Sequence, residues 1–176
     1  MIVFLDMDGV LVNFGEGTYR AFGIPYDYAM TSPDWFYYRE WGVSDEEFDS
    51  VCDRQFFASL RWMHDGGDIL CAIERKFDPA NIYLLTSPMN NPGSSSGKMD
   101  WVLRHLPTYK KRIIITQSPK GLFAGPDRLL IDDNDENAAG FVAAGGQGIL
   151  VPRSWNELRG WAGETLKVVQ NSLEVL

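Results

Sequence analysis

The sequence predicts an α/β fold with a parallel β-sheet and a small helical segment inserted after the first strand. The first observation is a series of short, mostly β-branched apolar runs, which are typical of strands buried on both faces of a parallel sheet. The second is that segments of helical periodicity lie between these runs, because alternating strands and helices form the α/β pattern. The apolar runs are Ile2–Leu5, Ile82–Leu85, Ile113–Ile115, Leu129–Ile131 and Ile149–Val151.

Five segments have the apolar spacing or the end signals of helices. They are Ser44–Leu60, Gly66–Phe77, Lys98–Leu106, Asp135–Ala144 and Trp155–Val169. Ser44 is the predicted N-cap of the first, and Glu47 stands at capping-box spacing from it. Asn134 or Asp135 is a suitable N-cap for the fourth, and Gly145 a suitable glycine after its end.

Residues 13–65 interrupt the alternation, since they hold many aromatic side chains and no clear strand. We interpret them as a helical cap, inserted into a core that residues 1–12 and 66–176 form. Ligands of open α/β sheets bind at the carboxyl edge of the strands. The cap is therefore expected to roof a site at that edge.

The composition narrows the classes of partner. The chain has 176 residues, 45% of them hydrophobic, which suits one domain or one domain with an insertion. Its net charge of −8 argues against binding DNA or RNA polymers, which needs clustered Lys and Arg. The same charge argues against an anionic membrane surface. A small phosphorylated ligand remains compatible, provided that a cation or a local Lys offsets its charge.

The sequence also predicts a soluble protein of a reducing, cytoplasmic compartment. No apolar run approaches the roughly 18 residues of a membrane span, and the N-terminus lacks the basic region of a signal peptide. Two cysteines, Cys52 and Cys71, are too few for a disulfide framework, and we interpret them as structural thiols.

An acid pair follows the first predicted strand. Asp6 and Asp8, two residues apart, are expected to face one ligand from a loop in which Gly9 lets the backbone turn sharply. Burying two carboxylates without a cation is costly, so a divalent metal is their natural partner. The alternative is that these Asp residues merely form a turn at the end of a strand.

The next two strands are also followed by polar residues. Thr86 and Ser87 end the second, where hydroxyl and backbone N–H groups suit phosphate oxygens. Lys120 comes shortly after the third and is able to neutralise a carboxylate cluster or a phosphate. Taken alone, Thr86 and Ser87 are explained equally well by an ordinary polar turn. A Lys at the position of Lys120, taken alone, is more often a surface residue.

A second acid pair, Asp132 and Asp133, ends the fourth strand. The four polar groups would meet at one edge of a parallel sheet, and this joint pattern is more specific than any of its parts. The order of acid pair, Thr-Ser, Lys and acid pair resembles the four motifs of the haloacid dehalogenase (HAD) superfamily of phosphotransferases. The resemblance spans Ile2 to Asp133 and implies a three-layer, Rossmann-like core with a cap.

Within that superfamily, the sequence resembles the 5′(3′)-deoxyribonucleotidases. The segments that carry the resemblance are Asp6-Met7-Asp8-Gly9-Val10-Leu11 with Phe14, Thr86-Ser87-Pro88, Lys98 ahead of Trp101-Val102, Arg112–Thr116, Lys120, and Leu129–Asp133. Phe56-Phe57 before Gly66-Gly67 is similar to the end of that family's helical cap. The resemblance implies Mg²⁺-dependent hydrolysis of nucleoside monophosphates through an aspartyl-phosphate, and the chain could associate as a homodimer.

The resemblance also assigns catalytic roles. Asp6 would be the nucleophile and Asp8 the general acid and base. Thr86 and Ser87 would bind the phosphoryl group, and Lys120 would hold both Asp6 and the phosphate.

The same resemblance assigns a Mg²⁺ site and a substrate pocket. Asp6 and Asp133 would bind the metal, Asp8 would touch it through its backbone carbonyl, and Asp132 is the second-best ligand. Lys98 would reach the phosphate, although a solvated Lys is an equal alternative. Aromatic side chains at Phe14, Trp35 and Phe36 are candidates for stacking on the base, but Trp35 and Phe36 could equally form the cap's own core.

Parts of the sequence are also compatible with three functions other than that of a nucleotidase. The run Gly93–Met99 resembles a P-loop but differs from it in two ways. Only three residues, instead of four, separate its two glycines, and Met99 occupies the position that needs Ser or Thr. A receiver module that accepts a phosphoryl group without turnover is disfavoured, because Lys120 precedes the last acid pair and a long cap interrupts the fold. A phosphatase for a sugar phosphate or another small metabolite is the runner-up.

Overall fold

The computed structural model describes residues 1–28 and 36–176, and within them five strands form one sheet. All neighbouring strands are parallel, and their order is β3-β2-β1-β4-β5. The first strand is therefore central, flanked by the second and the fourth. The predicted α/β fold with a parallel sheet is confirmed. The strands are β1 (Ile2–Leu5), β2 (Ile82–Thr86), β3 (Ile113–Ile115), β4 (Arg128–Asp132) and β5 (Gln147–Leu150).

Helices cover both faces of the sheet. In the described part of the chain they are α1 (Phe14–Ala21), α2 (Asp45–Val51), α3 (Arg54–Ser59), α4 (Gly66–Lys76), α5 (Ser94–His105), α6 (Asp135–Ala143) and α7 (Thr165–Glu174). Side chains alternate across a strand, so Phe4 of β1 packs with Phe141 of α6 on one face. Val3 and Leu5 belong to the larger core on the other face, which includes buried residues of α4, α5 and α7. The result is three layers.

Two predicted helices differ from the observed ones. The predicted helix Ser44–Leu60 is two helices, α2 and α3, although its capping box of Ser44 and Glu47 is confirmed. The break occurs because the Asp53 side chain accepts a hydrogen bond from Phe56 N and starts a new helix there. The predicted helix Trp155–Val169 is wrong over its first two thirds, since α7 begins only at Thr165 and runs to Glu174.

The start and the end of the insertion are joined by backbone hydrogen bonds. Asn13 N donates to Arg61 O, and Met63 N donates to Leu11 O, each within 2.9 Å. Within residues 13–65, aromatic rings pack on one another and continue the larger core that covers one face of the sheet. These rings include Tyr19, Tyr37, Tyr38, Trp41 and Phe48. The division of the chain into residues 13–65 and a core stays a prediction.

Helix α3 packs closely on α5. A Cβ added at Gly97 would lie 2.5 Å from Arg54 O and 2.7 Å from Phe57 Cβ, and one at Gly93 would lie 2.7 Å from Arg54 N. Arg54 also forms an ion pair with Asp100 of α5 at 2.6 Å. The two glycines of the P-loop-like run therefore serve close packing between helices.

No helix of the described residues is long and apolar enough to cross a bilayer.

Candidate active site

The polar ends of three strands and the turn after β3 meet at one edge of the sheet. Asp6 and Asp8 follow β1, Thr86 ends β2, and Lys120 opens a 3₁₀ turn after β3. These residues border a pocket of about 220 Å³. Its described lining consists of Asp6, Asp8, Phe14, Thr86, Ser87, Pro88, Met89, Lys120, Asp133, Asn134 and Asn137.

The loop after β1 is tightly wound. The carbonyl of Met7 accepts hydrogen bonds from the N–H groups of Val10, Leu11 and Val12. Gly9 has a φ of +76°, which favours glycine. A Cβ at this position would also collide with the Asp133 carboxylate. The loop therefore needs glycine twice over, for its conformation and for the close approach of the two acid pairs.

Lys120 connects the first acid pair to the second. Its Nζ lies 2.6 Å from Asp6 Oδ1 and 2.7 Å from Asp132 Oδ2. Burial alone would lower the pKa of Lys120, but the charges of Asp6 and Asp132 outweigh burial and raise it above its ordinary value. Lys120 is therefore a fixed cation at the bottom of the pocket.

Lys98 forms the matching contact with Asp8. Its side chain is 1% exposed, so the alternative of a solvated Lys is wrong. It donates to Asp8 Oδ2 and to Thr86 Oγ1, the latter at 3.0 Å, and it lies over the ring of Phe57 at 4.6 Å. Burial raises the pKa of Asp8, and the charge of Lys98 opposes this rise. A contact between Lys98 and a phosphate stays a prediction.

The two acids after β4 have different surroundings. Asp132 is fully occupied, because Oδ2 accepts from Lys120 and Oδ1 accepts from Asn134 N and Asn137 Nδ2. Asp133 Oδ2 accepts from the indole Nε1 of Trp155 at 2.6 Å, and no described residue donates to its Oδ1. Burial raises the pKa of Asp132 to about 6 and the pKa of Asp133 well above its usual range.

The acid cluster fits a divalent cation. Oxygen atoms of Asp6, Asp132 and Asp133 lie within 4.8 Å of one another. At and beside the pocket, four carboxylates and two lysines lie together, which leaves an excess of two negative charges if all are ionised. Asp8 Oδ1 is buried and accepts no hydrogen bond from the described residues. Carboxylate oxygens are the ligands of Mg²⁺, and Asp6 and Asp133 each keep an oxygen that no described donor occupies.

The predicted aromatic residues lie in different places. Phe14 lines the pocket, but it is also buried among Phe56 and Phe57, with ring centroids within 6 Å. Phe36 is 44% exposed and carries the Arg39 guanidinium over its ring. It is not part of the described pocket lining. Trp35 lies outside the described residues.

Arg153, which the sequence motifs did not indicate, is fully buried beside the site. Its Nε donates to Gly9 O at 2.5 Å, and its Nη1 and Nη2 donate to the two oxygens of Asp65 at 2.7 and 2.9 Å. Burial lowers the pKa of Arg153, whereas its hydrogen bond to Asp65 raises it, and the net shift is upward. The sequence does indicate a place at the sheet edge, because Arg153 follows the β5 run as the other site residues follow their strands, but it does not indicate which residues Arg153 contacts.

A family model matches residues 1–160 of the chain. Its description is 5′ nucleotidase, deoxy (pyrimidine), cytosolic type C protein. No curated protein sequence matches the chain.

Several solved structures share the fold. YfnB from Bacillus subtilis, bound to magnesium, has a TM-score of 0.54 at 14% identity, covering 85% of this chain and 86% of that one. A HAD-superfamily hydrolase from Ehrlichia chaffeensis has a TM-score of 0.51 at 12% identity, covering 96% and 97%. CbbY from Rhodobacter sphaeroides, in complex with phosphate, has a TM-score of 0.50 at 16% identity, covering 89% of each chain. At these identities the likeness concerns the fold.

Proposed function

The chain belongs to the 5′ nucleotidase, deoxy (pyrimidine), cytosolic type C family of HAD-like hydrolases, and from this premise we propose that it is a Mg²⁺-dependent phosphatase that hydrolyses (deoxy)nucleoside monophosphates to nucleoside and phosphate. The family membership makes it a hydrolase of the phosphatase and nucleotidase type. The metal and the substrate are the proposed part. We further propose that it acts in cytoplasmic nucleotide metabolism.

One observation carries the proposal most directly. Each acid of the first pair has its own buried lysine: Lys120 contacts Asp6, and Lys98 contacts Asp8. Two carboxylates so close to each other would repel a phosphate dianion, and the two buried cations that contact them offset that repulsion. The arrangement suits a reaction that brings a phosphate group to the Asp6 carboxylate.

In the first step, Asp6 acts as nucleophile. A carboxylate needs no general base, so one of its oxygens forms a bond to phosphorus while the ester P–O bond breaks. The leaving sugar oxygen takes a proton from Asp8. Burial raises the pKa of Asp8, which favours the protonated form that this step requires.

In the second step, the aspartyl-phosphate on Asp6 is hydrolysed. Water attacks phosphorus and gives one proton to Asp8, while the bond between Asp6 and phosphorus breaks. Inorganic phosphate leaves, and both carboxyl groups return to their starting states. Thr86 and Ser87 line the pocket where the phosphoryl oxygens would lie, and their hydroxyl groups are suitable donors.

Asp6 and Asp133 are the proposed side-chain ligands of Mg²⁺. Asp132 is the weaker candidate, because three donors already occupy its oxygens. When bound, the ion would supply positive charge for the phosphoryl oxygens. Support for a divalent ion comes from the cluster of Asp6, Asp132 and Asp133, whose oxygen atoms lie within 4.8 Å of one another.

A nucleoside is the proposed leaving group. Next to the acids, the pocket is lined by the apolar side chains of Phe14, Pro88 and Met89 and by the amides of Asn134 and Asn137. A flat, partly polar group such as a sugar with a base matches this mixture of surfaces. A small sugar phosphate would leave the apolar part of the pocket unused.

The test is a phosphate-release screen with Mg²⁺. The substrates are 5′- and 3′-deoxynucleoside monophosphates, the matching ribonucleotides, hexose phosphates and p-nitrophenyl phosphate, and the Asp6→Asn variant is the blank. We expect the highest kcat/KM with a nucleotide, complete loss in EDTA and recovery on adding Mg²⁺. Full activity in EDTA would contradict the metal, and a preference for hexose phosphates would favour the metabolite phosphatase.

A further inference from the structure

The segment after β5 lies directly behind the active site. Residues Arg153–Asn156 are buried or half-buried and make side-chain hydrogen bonds to parts of the chain that are distant in sequence. None of them belongs to the described lining of the pocket. We call these four residues the backing segment.

Arg153 fixes the loop that carries the first acid pair. Its guanidinium donates to Gly9 O at 2.5 Å and to Val10 O at 3.5 Å, across 144 and 143 positions of sequence. A fully buried guanidinium is costly unless it is paired, and the bidentate contact with Asp65 supplies the countercharge. Asp65 immediately precedes α4. Arg153 therefore joins the backbone just after Asp8 to the start of this helix.

Trp155 fixes the second acid pair. Its indole Nε1 donates to Asp133 Oδ2 at 2.6 Å. Its ring is held in turn, because it packs edge to face on Tyr28 with centroids 6.1 Å apart. Asn156 holds the backbone at the same point, since its Nδ2 donates to Asp133 O at 2.8 Å and to Val151 O at 2.7 Å.

Arg153 therefore holds the loop that carries the first acid pair, whereas Trp155 and Asn156 hold Asp133 of the second pair. Asp133 is a buried acid that repels Asp6 and Asp132, and one indole donor sets the direction of its carboxylate. Hydrogen bonds behind a metal ligand orient it, and their loss typically weakens metal binding 10- to 100-fold. A purely structural bond would instead change the stability of the fold and leave ion binding intact.

We infer that Arg153 and Trp155 are positioning residues of the active site: Trp155 orients the Asp133 carboxylate for a divalent cation, and Arg153 fixes the Gly9–Val10 backbone that places Asp8. This inference rests on the proposed function. It assigns the backing segment a role in ion binding and turnover, although none of its residues belongs to the described lining of the pocket.

The first test replaces Trp155 by Phe, which keeps the ring and removes only the N–H donor. Calorimetric titration of the folded protein with MgCl₂ alone should show a Kd about tenfold higher than for the unchanged protein. Trp161→Phe is the matched control, because Trp161 is 55% exposed and lies outside the described pocket lining. An unchanged Kd for Trp155→Phe, whatever its melting temperature, would overturn the role of Trp155.

The second test replaces Arg153 by Lys, which keeps the charge beside Asp65 but cannot form the bidentate contact and reach Gly9 O together. We expect kcat on a nucleotide to fall at least about tenfold with a smaller change in KM, as for a defect in the reacting geometry. Arg112→Lys is the control, since this half-buried arginine also donates to backbone carbonyls, Ile82 O and Thr108 O, outside the described pocket lining.

If Arg153→Lys does not fold, Asp65→Asn is the variant that tests the role of Arg153. It keeps the guanidinium on Gly9 O and should retain kcat within about threefold while lowering the melting temperature. A loss of kcat of about tenfold or more in Asp65→Asn, or an unchanged kcat in a folded Arg153→Lys, would overturn the role of Arg153. Absence of Mg²⁺ binding in the unchanged protein would instead refute the proposed function, and the inference with it.

Discussion

Lys98 contacts Asp8 directly, although 90 positions of sequence separate the two residues. The same lysine donates to Thr86 Oγ1 at 3.0 Å. It therefore joins the loop after β1 to the end of β2 from its place on α5. Because Lys120 separately holds Asp6, the two acids are surrounded differently, and we expect their substitutions to have different consequences.

Replacement of the two acids should separate their roles. Asp6→Asn is expected to lose at least about a thousandfold in kcat on every substrate, because it removes the proposed nucleophile. Asp8→Asn should be severely impaired on nucleotides, whose leaving oxygen needs a proton, yet keep some formation of aspartyl-phosphate from p-nitrophenyl phosphate. Burst kinetics with that substrate measure the difference. Near-normal turnover by Asp6→Asn would refute the covalent mechanism.

Phe14 is expected to contribute to recognition of the base. Its ring lines the pocket, and base–aromatic stacking is worth roughly 1–3 kcal/mol. Phe14→Leu keeps most of the buried volume, so it should raise KM for nucleotides about tenfold while KM for p-nitrophenyl phosphate changes much less. Phe48→Leu is the comparison, because Phe48 is buried beside Phe14 but is absent from the described lining. Equal changes for both substrates would argue against stacking by Phe14.

The contact between α3 and α5 should make Gly97 hard to replace. In Gly97→Ala, the new methyl group meets Arg54 O at 2.5 Å, and overpacking of this kind costs about 1–3 kcal/mol. Gly140→Ala is the control, since it lies in α6 with nothing within 4 Å of a Cβ. The control should gain about 0.5–1 kcal/mol from helix propensity. Urea unfolding measures both variants, and a stabilised Gly97→Ala would contradict the packing.

His105 should make stability depend on pH. Burial, and then the charge of Arg104, lower the pKa of His105 below its usual 6.5. The unfolded chain therefore binds the proton more readily, so the contribution of neutral His105 is complete above about pH 6.5 and is lost as the pH falls through its folded-state pKa. In its neutral form, Nδ1 accepts a hydrogen bond from Trp62 Nε1 at 3.4 Å.

The measurement is the free energy of unfolding between pH 5 and pH 7.5 for the unchanged protein and for His105→Gln. Both proteins share the other titrating groups, so the difference between the two curves isolates His105. We expect the unchanged protein to lose more stability on acidification. Parallel curves would show that His105 is not protonated more weakly in the folded state.

The sheet and its edge could be predicted because they follow from local patterns. The runs ending at Leu5 and Ile131 are apolar enough to be strands, and parallel strands bring Asp6 and Asp133 to the same edge. Helix boundaries were less predictable where a polar side chain decides them. Asp53 starts a new helix by accepting from Phe56 N, but an Asp inside an apolar pattern does not reveal which backbone donor it will meet.

The supporting contacts were beyond prediction for a different reason. Arg153 meets Gly9 and Asp65 only because β5 places it behind the loop after β1. No local pattern specifies a contact over such a separation. Lys98 illustrates the same limit, since a lysine at the start of a helix is usually solvated, and its burial depends on α3 covering it.

The close approach of α3 to α5 has a consequence for motion. Three contacts hold these two helices together along their length. They are the ion pair of Arg54 with Asp100, the hydrogen bond from Arg104 to Ala58 O, and the close packing of α3 on Gly97. Separating them would break an ion pair and expose Phe57, over which Lys98 lies. We therefore expect α3 and α5 to move as one rigid body during turnover.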